Sequence, residues 1–259
     1  MAGGIRLQSS LLLASVVPED RNLVVEFYDR SGSPLAIELG QQEPSTHFDL
    51  TFSGGSVYSA QTPATGALQV GYAVVKVRTP EAAANQTRIR AQIGADATAE
   101  IDGTVVFTRT DSGVTVTEAG IPAARPLRDF TVLLDSIAAK DTGLALVNPP
   151  GDVTDPGTTA HLVVRVWDQA FQNQLGEVQL TLAPGEAIGQ FIWEIFQANG
   201  APAELVAQLQ ETQAVVTVGS DVPVAALTLR QNDDAAIAYP DEVPILTAFP
   251  VIPGRADAN

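Results

Sequence analysis

Short apolar runs that alternate with polar residues make up most of this chain, and Gly, Pro, Asp and Asn punctuate them. That is the period-two signature of half-buried β-strands bounded by turns. In the first part of the chain it predicts strands over 11–17, 23–28, 34–39, 46–52, 71–77, 88–94, 103–108, 114–117 and 130–134. In the second part it predicts strands over 143–147, 161–167, 176–182, 214–218 and 223–229. Asp29-Arg30-Ser31-Gly32 reads as a hairpin turn, and the proline-rich stretch 148–159 reads as an exposed connection. One segment departs from the pattern. Over 186–197, Ile188, Phe191, Ile192 and Ile195 recur at helical spacing between Pro184-Gly185 and Asn199-Gly200. This predicts a short amphipathic helix with those four residues as its buried stripe and with Trp193 and Phe196 extending the apolar surface. A second short helix is expected over 203–210.

The strand text occurs twice. Leu-Val-Val-Glu-Phe-Tyr-Asp at 23–29 is answered by Leu-Val-Val-Arg-Val-Trp-Asp at 162–168, and Leu-Thr-Phe-Ser-Gly-Gly at 50–55 by Leu-Thr-Leu-Ala-Pro-Gly at 180–185. The two matches run in the same order, as an internal duplication requires. The fold expected is all-β: two tandem antiparallel β-sandwiches, Ig-like or jelly-roll-like, over 1–129 and 130–259. The first copy carries a longer excursion around 40–46.

Composition narrows the function classes. The 259 residues suffice for two cores. Fourteen Lys and Arg against 30 Asp and Glu give a net charge of -16. The lysines are Lys76 and Lys140 alone, so nucleic acid and anionic membranes are not expected partners. The acidity reads as colloidal repulsion. Cysteine is absent, which removes thiol nucleophiles, disulfides and Cys-based zinc sites. No apolar run reaches the roughly 18–20 residues that span a bilayer, so membrane insertion is not expected. Met1-Ala-Gly-Gly does not read as a signal peptide, so any leader is not present in this chain.

Candidate chemistry is sparse. His47 and His161 lie in separate predicted strands without partners at a recognisable spacing. No phosphate loop, serine elbow or zinc-protease helix occurs. Asp152, Asp155 and Asn232-Asp233-Asp234 are candidate Ca²⁺ groups, but their spacing suits solvated turns better. Asn85-Gln-Thr87 fits a glycosylation acceptor. No catalytic residue, metal or cofactor is expected. Tyr28, Tyr58, Tyr72, Trp167 and Trp193 are the aromatics available to a glycan.

Thr142-Gly-Leu-Ala-Leu-Val-Asn-Pro149, Leu180-Thr-Leu-Ala-Pro-Gly185, Gln190-Phe-Ile-Trp-Glu-Ile-Phe196 and Pro223-Val-Ala-Ala-Leu-Thr-Leu-Arg230 form a recognisable series. Gly66-Ala-Leu-Gln-Val-Gly-Tyr-Ala-Val-Val75 and Thr117-Glu-Ala-Gly-Ile-Pro122 continue it in the first copy. The series resembles repeated β-sandwich modules of large, uncharacterised secreted bacterial proteins. The resemblance covers nearly the whole chain. It implies a secreted or cell-surface protein and brings no catalytic motif.

In such modules a short apolar strand precedes the Leu-Val-Asn-Pro strand. Phe130-Thr-Val-Leu-Leu134 supplies it for the second copy, Phe249-Pro-Val-Ile252 is a further version, and the first copy has none. The chain is thus expected to lack a strand at its front and carry a surplus one at its back. A tail donated to the next molecule would build a filament by strand addition. Its donor face is Ile245, Thr247, Phe249 and Val251, and its acceptor edge Leu11, Leu13, Ser15 and Val17. Two alternatives stand beside it: the tail folds back on the second domain, or the opening strand belongs to a longer chain. Three classes of function remain: a structural or adhesive self-associating protein, a module that binds surface glycans, and a hydrolase built on the plentiful carboxylates.

Overall fold

In the computed structural model, residues 5–65, 69–78, 101–151, 157–232 and 245–254 are described. The protein is all-β, with antiparallel sheets and two short helices. The chain divides into two compact units, Met1–Ala123 and Ala124–Asn259. The predicted strand over 88–94, the Asn85 acceptor and Asp152, Asp155, Asp233 and Asp234 lie outside the described residues.

Unit 1 comprises β1 (Ile5–Ser15), β2 (Arg21–Asp29), β3 (Ile37–Leu39), β4 (Gln42–Ser45), β5 (His47–Phe52), β6 (Val57–Gln61), β7 (Gly71–Arg78), β8 (Ile101–Asp111) and β9 (Val114–Pro122). One sheet has the order β6-β1-β8-β9, the other β5-β2-β7, and β3 pairs with β4 as a separate hairpin. Alternation places Leu11 and Leu13 of β1, Leu23 and Val25 of β2, and Phe48, Leu50 and Phe52 of β5 in one core. In β5 the intervening His47, Asp49 and Thr51 are exposed. The short strand β6 alternates exposed Val57, Ser59 and Gln61 with half-buried Tyr58 and Ala60, whereas β4 is exposed but for half-buried Ser45.

The turn after β5 is tightly constrained. A Cβ at Gly54 would run into the Pro18 backbone carbonyl, and neither backbone can yield without disturbing the other. Gly54→Ala is therefore expected to cost unit 1 about 1–3 kcal/mol, as overpacking does. Thermal unfolding followed at Tyr28 and Tyr72 would check it; an unchanged midpoint would show that the loop relaxes freely.

Unit 2 comprises β10 (Leu127–Asp135), β11 (Lys140–Val147), β12 (Ala160–Trp167), β13 (Gln174–Leu182), β14 (Ala187–Phe191), α1 (Ile192–Ala198), α2 (Ala203–Leu209), β15 (Gln213–Asn232), β16 (Ile245–Phe249) and β17 (Ile252–Pro253). The order β13-β12-β15-β10-β17 forms one face. β14, β11, the second half of β15 and β16 form the other. β15 is one 20-residue strand where the sequence predicts two, and it takes part in both faces. Phe130, Val132, Leu134, Leu144, Leu146, Leu162, Val164 and Val216 fill the core between them.

The expected helix over 186–197 needs correction. Its first turns are a strand: β14 pairs with β11, Leu146 opposite Ile188 and Gly143 opposite Phe191. The helix begins only at Ile192, with Phe191 as its N-cap. The Glu194 carboxylate accepts the Phe191 N–H at 2.9 Å, half of a capping box. The buried face is Ile192, Ile195 and Phe196, not the predicted stripe. α2 follows where the second helix is expected.

Both units use one strand plan. Leu23 pairs with Leu50 in unit 1, and Leu162 with Leu180 in unit 2, so the residues that match in sequence are cross-strand partners in both. Leu13 opposite Tyr58 and Gly103 repeats as Leu146 opposite Ile188 and Ala226. Val25 opposite Val75 repeats as Val164 opposite Val218. β1, β2, β5, β6 and β9 thus stand where β11, β12, β13, β14 and β16 stand. β7 and β8 stand for the two halves of β15. β10 and β17 have no counterpart among the described residues of unit 1.

Candidate functional site

β10 occupies the position that distinguishes the units. In unit 2 it lies against the first half of β15, with Phe130 opposite Val218, Val132 opposite Val216 and Leu134 opposite Ala214. All three β10 side chains are fully buried. In unit 1 the corresponding edge is β7, which pairs with β2 and has no second strand among the described residues. The two units also differ in burial here. Val216 and Val218 are buried, whereas Ala73 and Val75, their counterparts, are half-exposed. On the opposite sheet, Val224 and Thr228 are buried, whereas Ile101 and Val105 are half-exposed. An unpaired strand edge above partly covered apolar side chains is a template for strand addition.

The acceptor and donor expected from sequence are both displaced. Leu11, Leu13 and Ser15 lie in β1, which pairs with β6 on one side and β8 on the other, so they form no edge. Val17 lies beyond β1, and its carbonyl accepts the Gly55 N–H at 3.0 Å. Ile245, Thr247 and Phe249 lie in β16, paired with Asn232, Arg230 and Thr228 of the same chain. The Phe249 carbonyl accepts the Thr228 hydroxyl at 2.9 Å, and the Arg230 guanidinium sits 4.8 Å from its ring centroid. Val251 packs against the unit 2 core. The tail therefore folds back. Register also reassigns Phe249: it opposes Thr228 as Ile121 opposes Val105, so it repeats Ile121 rather than Phe130. Pro122 and Pro250 follow in both copies.

The C-terminal end of β10 is a polar lock. Asp135 accepts hydrogen bonds from Gln213 Nε2 at 3.1 Å and Arg230 Nη1 at 3.0 Å, and Lys140 Nζ lies 3.9 Å away. Thr142 donates its hydroxyl to the Asp135 carbonyl and accepts the Asp135 N–H. Burial alone would raise the Asp135 pKa, but these hydrogen bonds and positive charges outweigh it and hold the carboxyl below the ordinary range. A depressed folded-state pKa contributes stability that is present above the unfolded value, near 4, and lost as pH falls through the folded one. Asp135→Asn is expected to flatten the acid side of the unit 2 stability profile while changing its slope little above pH 6. An unaltered acid limb in urea titrations would remove Asp135 from that role.

The remaining candidates resolve into structural contacts. Asp29 and Asp168 close equivalent turns. Ser31 hydrogen-bonds the first, the Gln172 N–H the second, and both carboxyls are held below their usual range. Outside the core, Lys76 Nζ meets Glu26 at 2.6 Å, and the Tyr28 hydroxyl donates to Glu26 at 2.6 Å. Burial and the Glu26 contact push the Tyr28 phenol up, and burial with the Asp29 charge pushes Tyr72 to about 12. Tyr28 and Tyr72 stack at 5.5 Å. At the matching place in unit 2, Arg165 pairs with Glu177 at 2.7 Å and Trp167 Nε1 donates to Thr217 at 3.0 Å. Phe171 packs on Trp167 at 5.0 Å. Tyr58 packs against the unit 1 core, and Trp193 stacks on Phe191 with its Nε1 buried and unpartnered among the described residues.

His47 and His161 are exposed and belong to different units; the His161 N–H binds Asp221 at 2.8 Å. Asn232 ends β15. Among the described residues no helix is long and apolar enough to cross a membrane, and no three His, Cys, Asp or Glu side chains converge as a metal site would need. A shallow groove of about 230 Å³ lies on the outer face of β11, β14, β15 and β16, lined by Ala145, Phe191, Leu227, Leu229 and Leu246. Its one carboxylate, Glu194, is committed to the helix cap.

No family model, curated protein or solved structure matches this chain. Its class is that of its fold, an all-β protein of antiparallel sheets.

Proposed function

We propose that this is a non-enzymatic structural or adhesive protein of the bacterial cell exterior, which self-associates by β-strand addition at unit 1. The observation that carries the reading is the edge of β7, which has no second strand among the described residues where β10 lies in the repeated unit. A strand placed there gains backbone pairing and covers apolar surface at once, so the joint is slow to dissociate. Because, among the described residues, that edge belongs to unit 1 and not to unit 2, contacts of this kind join unlike surfaces and extend as a line rather than closing as a pair. The net charge of -16 opposes unspecific clumping of such a line.

Negative-stain microscopy and light scattering of the full chain over a wide concentration range test the reading. Linear assemblies are expected. A monomer at millimolar concentration sinks it. A second reading, binding to surface glycans, rests on the Trp167–Phe171 pair on the outer face of unit 2, with Phe171 49 % exposed. A glycan array on which Trp167→Ala loses a signal of the parent protein would favour it; an array without signal removes it.

A further inference from the structure

Tyr28 and Tyr72 differ from the other aromatic contacts of the molecule in what meets their phenols. They are directly opposed on β2 and β7. Leu23, Val25, Phe27, Ala73, Val75 and Val77 of these strands face the core, so the two tyrosines belong to the opposite face of the sheet. Their rings stack with centroids 5.5 Å apart and planes 19° from parallel. The Tyr28 hydroxyl donates to Glu26 Oε2 at 2.6 Å, the length of a charge-assisted bond to a carboxylate. Lys76 Nζ meets the same oxygen at 2.6 Å and holds it in place. The repeat shows what is particular to unit 1. Trp167 stands where Tyr28 stands, Val215 where Tyr72 stands and Arg165 where Glu26 stands. The Trp167 Nε1 donates to a neutral hydroxyl, that of Thr217. Tyr58 has Phe52 as its ring neighbour, not a second phenol.

We propose that Tyr28 and Tyr72 are a site of oxidative cross-linking, joined ring to ring by a one-electron oxidant of the peroxidase class with hydrogen peroxide. Each phenol gives up one electron and one proton. Glu26 Oε2 takes the Tyr28 proton along the existing hydrogen bond and passes it to solvent; water takes that of Tyr72. A base already within hydrogen-bond reach is what such a transfer needs. The two phenoxyl radicals then form one C–C bond between ring carbons ortho to their oxygens. The hydrogens displaced from those carbons return to the phenol oxygens. Hydrogen peroxide accepts the two electrons and two protons and leaves as two waters, so the protein loses two hydrogens. Because the rings are already stacked, coupling within one molecule is favoured over coupling between molecules. The bond staples β2 to β7 and restricts the unfolded chain as a disulfide does, in a protein without cysteine. This inference is independent of strand addition.

The test treats the dilute full chain with hydrogen peroxide and a haem peroxidase. In parallel, photogenerated tris(bipyridyl)ruthenium(III) serves as an oxidant small enough to reach half-buried rings. Intact mass, dityrosine fluorescence and peptide mapping are the readouts. A monomer lighter by two hydrogens is expected, with Tyr28 and Tyr72 in one linked peptide pair and a raised thermal midpoint for unit 1. Tyr28→Phe and Tyr72→Phe should each abolish the product. Glu26→Gln keeps an acceptor for the hydroxyl but no base. It is made together with Lys76→Met, so that no buried ammonium is left unpaired, and compared with Lys76→Met alone. The double variant should cross-link at least about tenfold more slowly, since a positioned base contributes about 10²–10⁴-fold. Equal rates in these two variants, a linked pair other than Tyr28 with Tyr72, or coupling only between molecules would overturn the inference. So would oxidation of Trp167 and Trp193 by both oxidants with no loss of two hydrogens from unit 1.

Discussion

Phe130→Ala is expected to cost unit 2 about 3–5 kcal/mol, the range for a buried aromatic truncated to alanine. The ring is 1 % exposed and sits on a strand held from both sides, by Val218 and by Pro253. A cavity there cannot be closed by a shift of β10, since Val132 and Leu134 of the same strand are also locked in the core and the Asp135 anchors fix its end. Both tryptophans, Trp167 and Trp193, belong to unit 2, so their fluorescence in a urea titration reports this unit alone. Phe107→Ala, at an exposed position of unit 1, is the contrasting substitution. Its side chain is already 45 % in solvent, and removing it should change stability by less than about 1 kcal/mol. Comparable losses for the two would mean that unit 1 is closed over Phe107 after all.

Phe196→Ala is expected to be as severe, again about 3–5 kcal/mol, and to act through the helix rather than a sheet. α1 has seven residues, too few to persist on its own, so packing of Ile192, Ile195 and Phe196 is what maintains it. Phe196 is fully buried, and the Ala201 N–H bonds its carbonyl at 3.0 Å, tying the helix end to the connection before α2. Phe191→Ala makes the internal control. That ring lies on the outer groove against Trp193, so its loss should be well under half as costly. If Phe191 proves the costlier of the two, the helix begins a turn earlier than Ile192.

The duplicated text was the most legible part of the fold. Leu23 and Leu50, like Leu162 and Leu180, match in sequence because they must meet across neighbouring strands. β14 was not legible, because Ile188, Phe191 and Ile192 satisfy a helical spacing while β11 offers 187–191 a free edge to pair with; tertiary pairing overrides the local pattern. β6, Val-Tyr-Ser-Ala-Gln, is too short and too mixed to stand out. The residues show an apolar phrase at 130–134 before the second copy with no match in the first, but not where such a strand lies in the fold. The following strand, β1, was the natural candidate for its neighbour. In a sandwich the chain often crosses to the other sheet instead. Thus β10 pairs with the first half of β15, while β11, next in sequence, pairs with the second half. The tail misled for a related reason. Phe249 resembles Phe130 in a four-residue phrase, while the signal that places it correctly is the proline shared by Ile121-Pro122 and Phe249-Pro250.

The continuity of β15 marks a site that tolerates added chain. In unit 2 the strand passes from one face to the other through Asp221, Val222 and Pro223. In unit 1, residues 78–100 stand between the same two pairing positions, Val77 and Ile101. The two copies therefore differ greatly in the length of chain between equivalent pairing positions, and the entropy of closing a longer loop rises by only about 0.6 kcal/mol per doubling. An epitope or fluorophore-acceptor sequence spliced between Val222 and Pro223 should leave both halves of β15 paired, and with them a handle for attaching cargo to the surface of each copy.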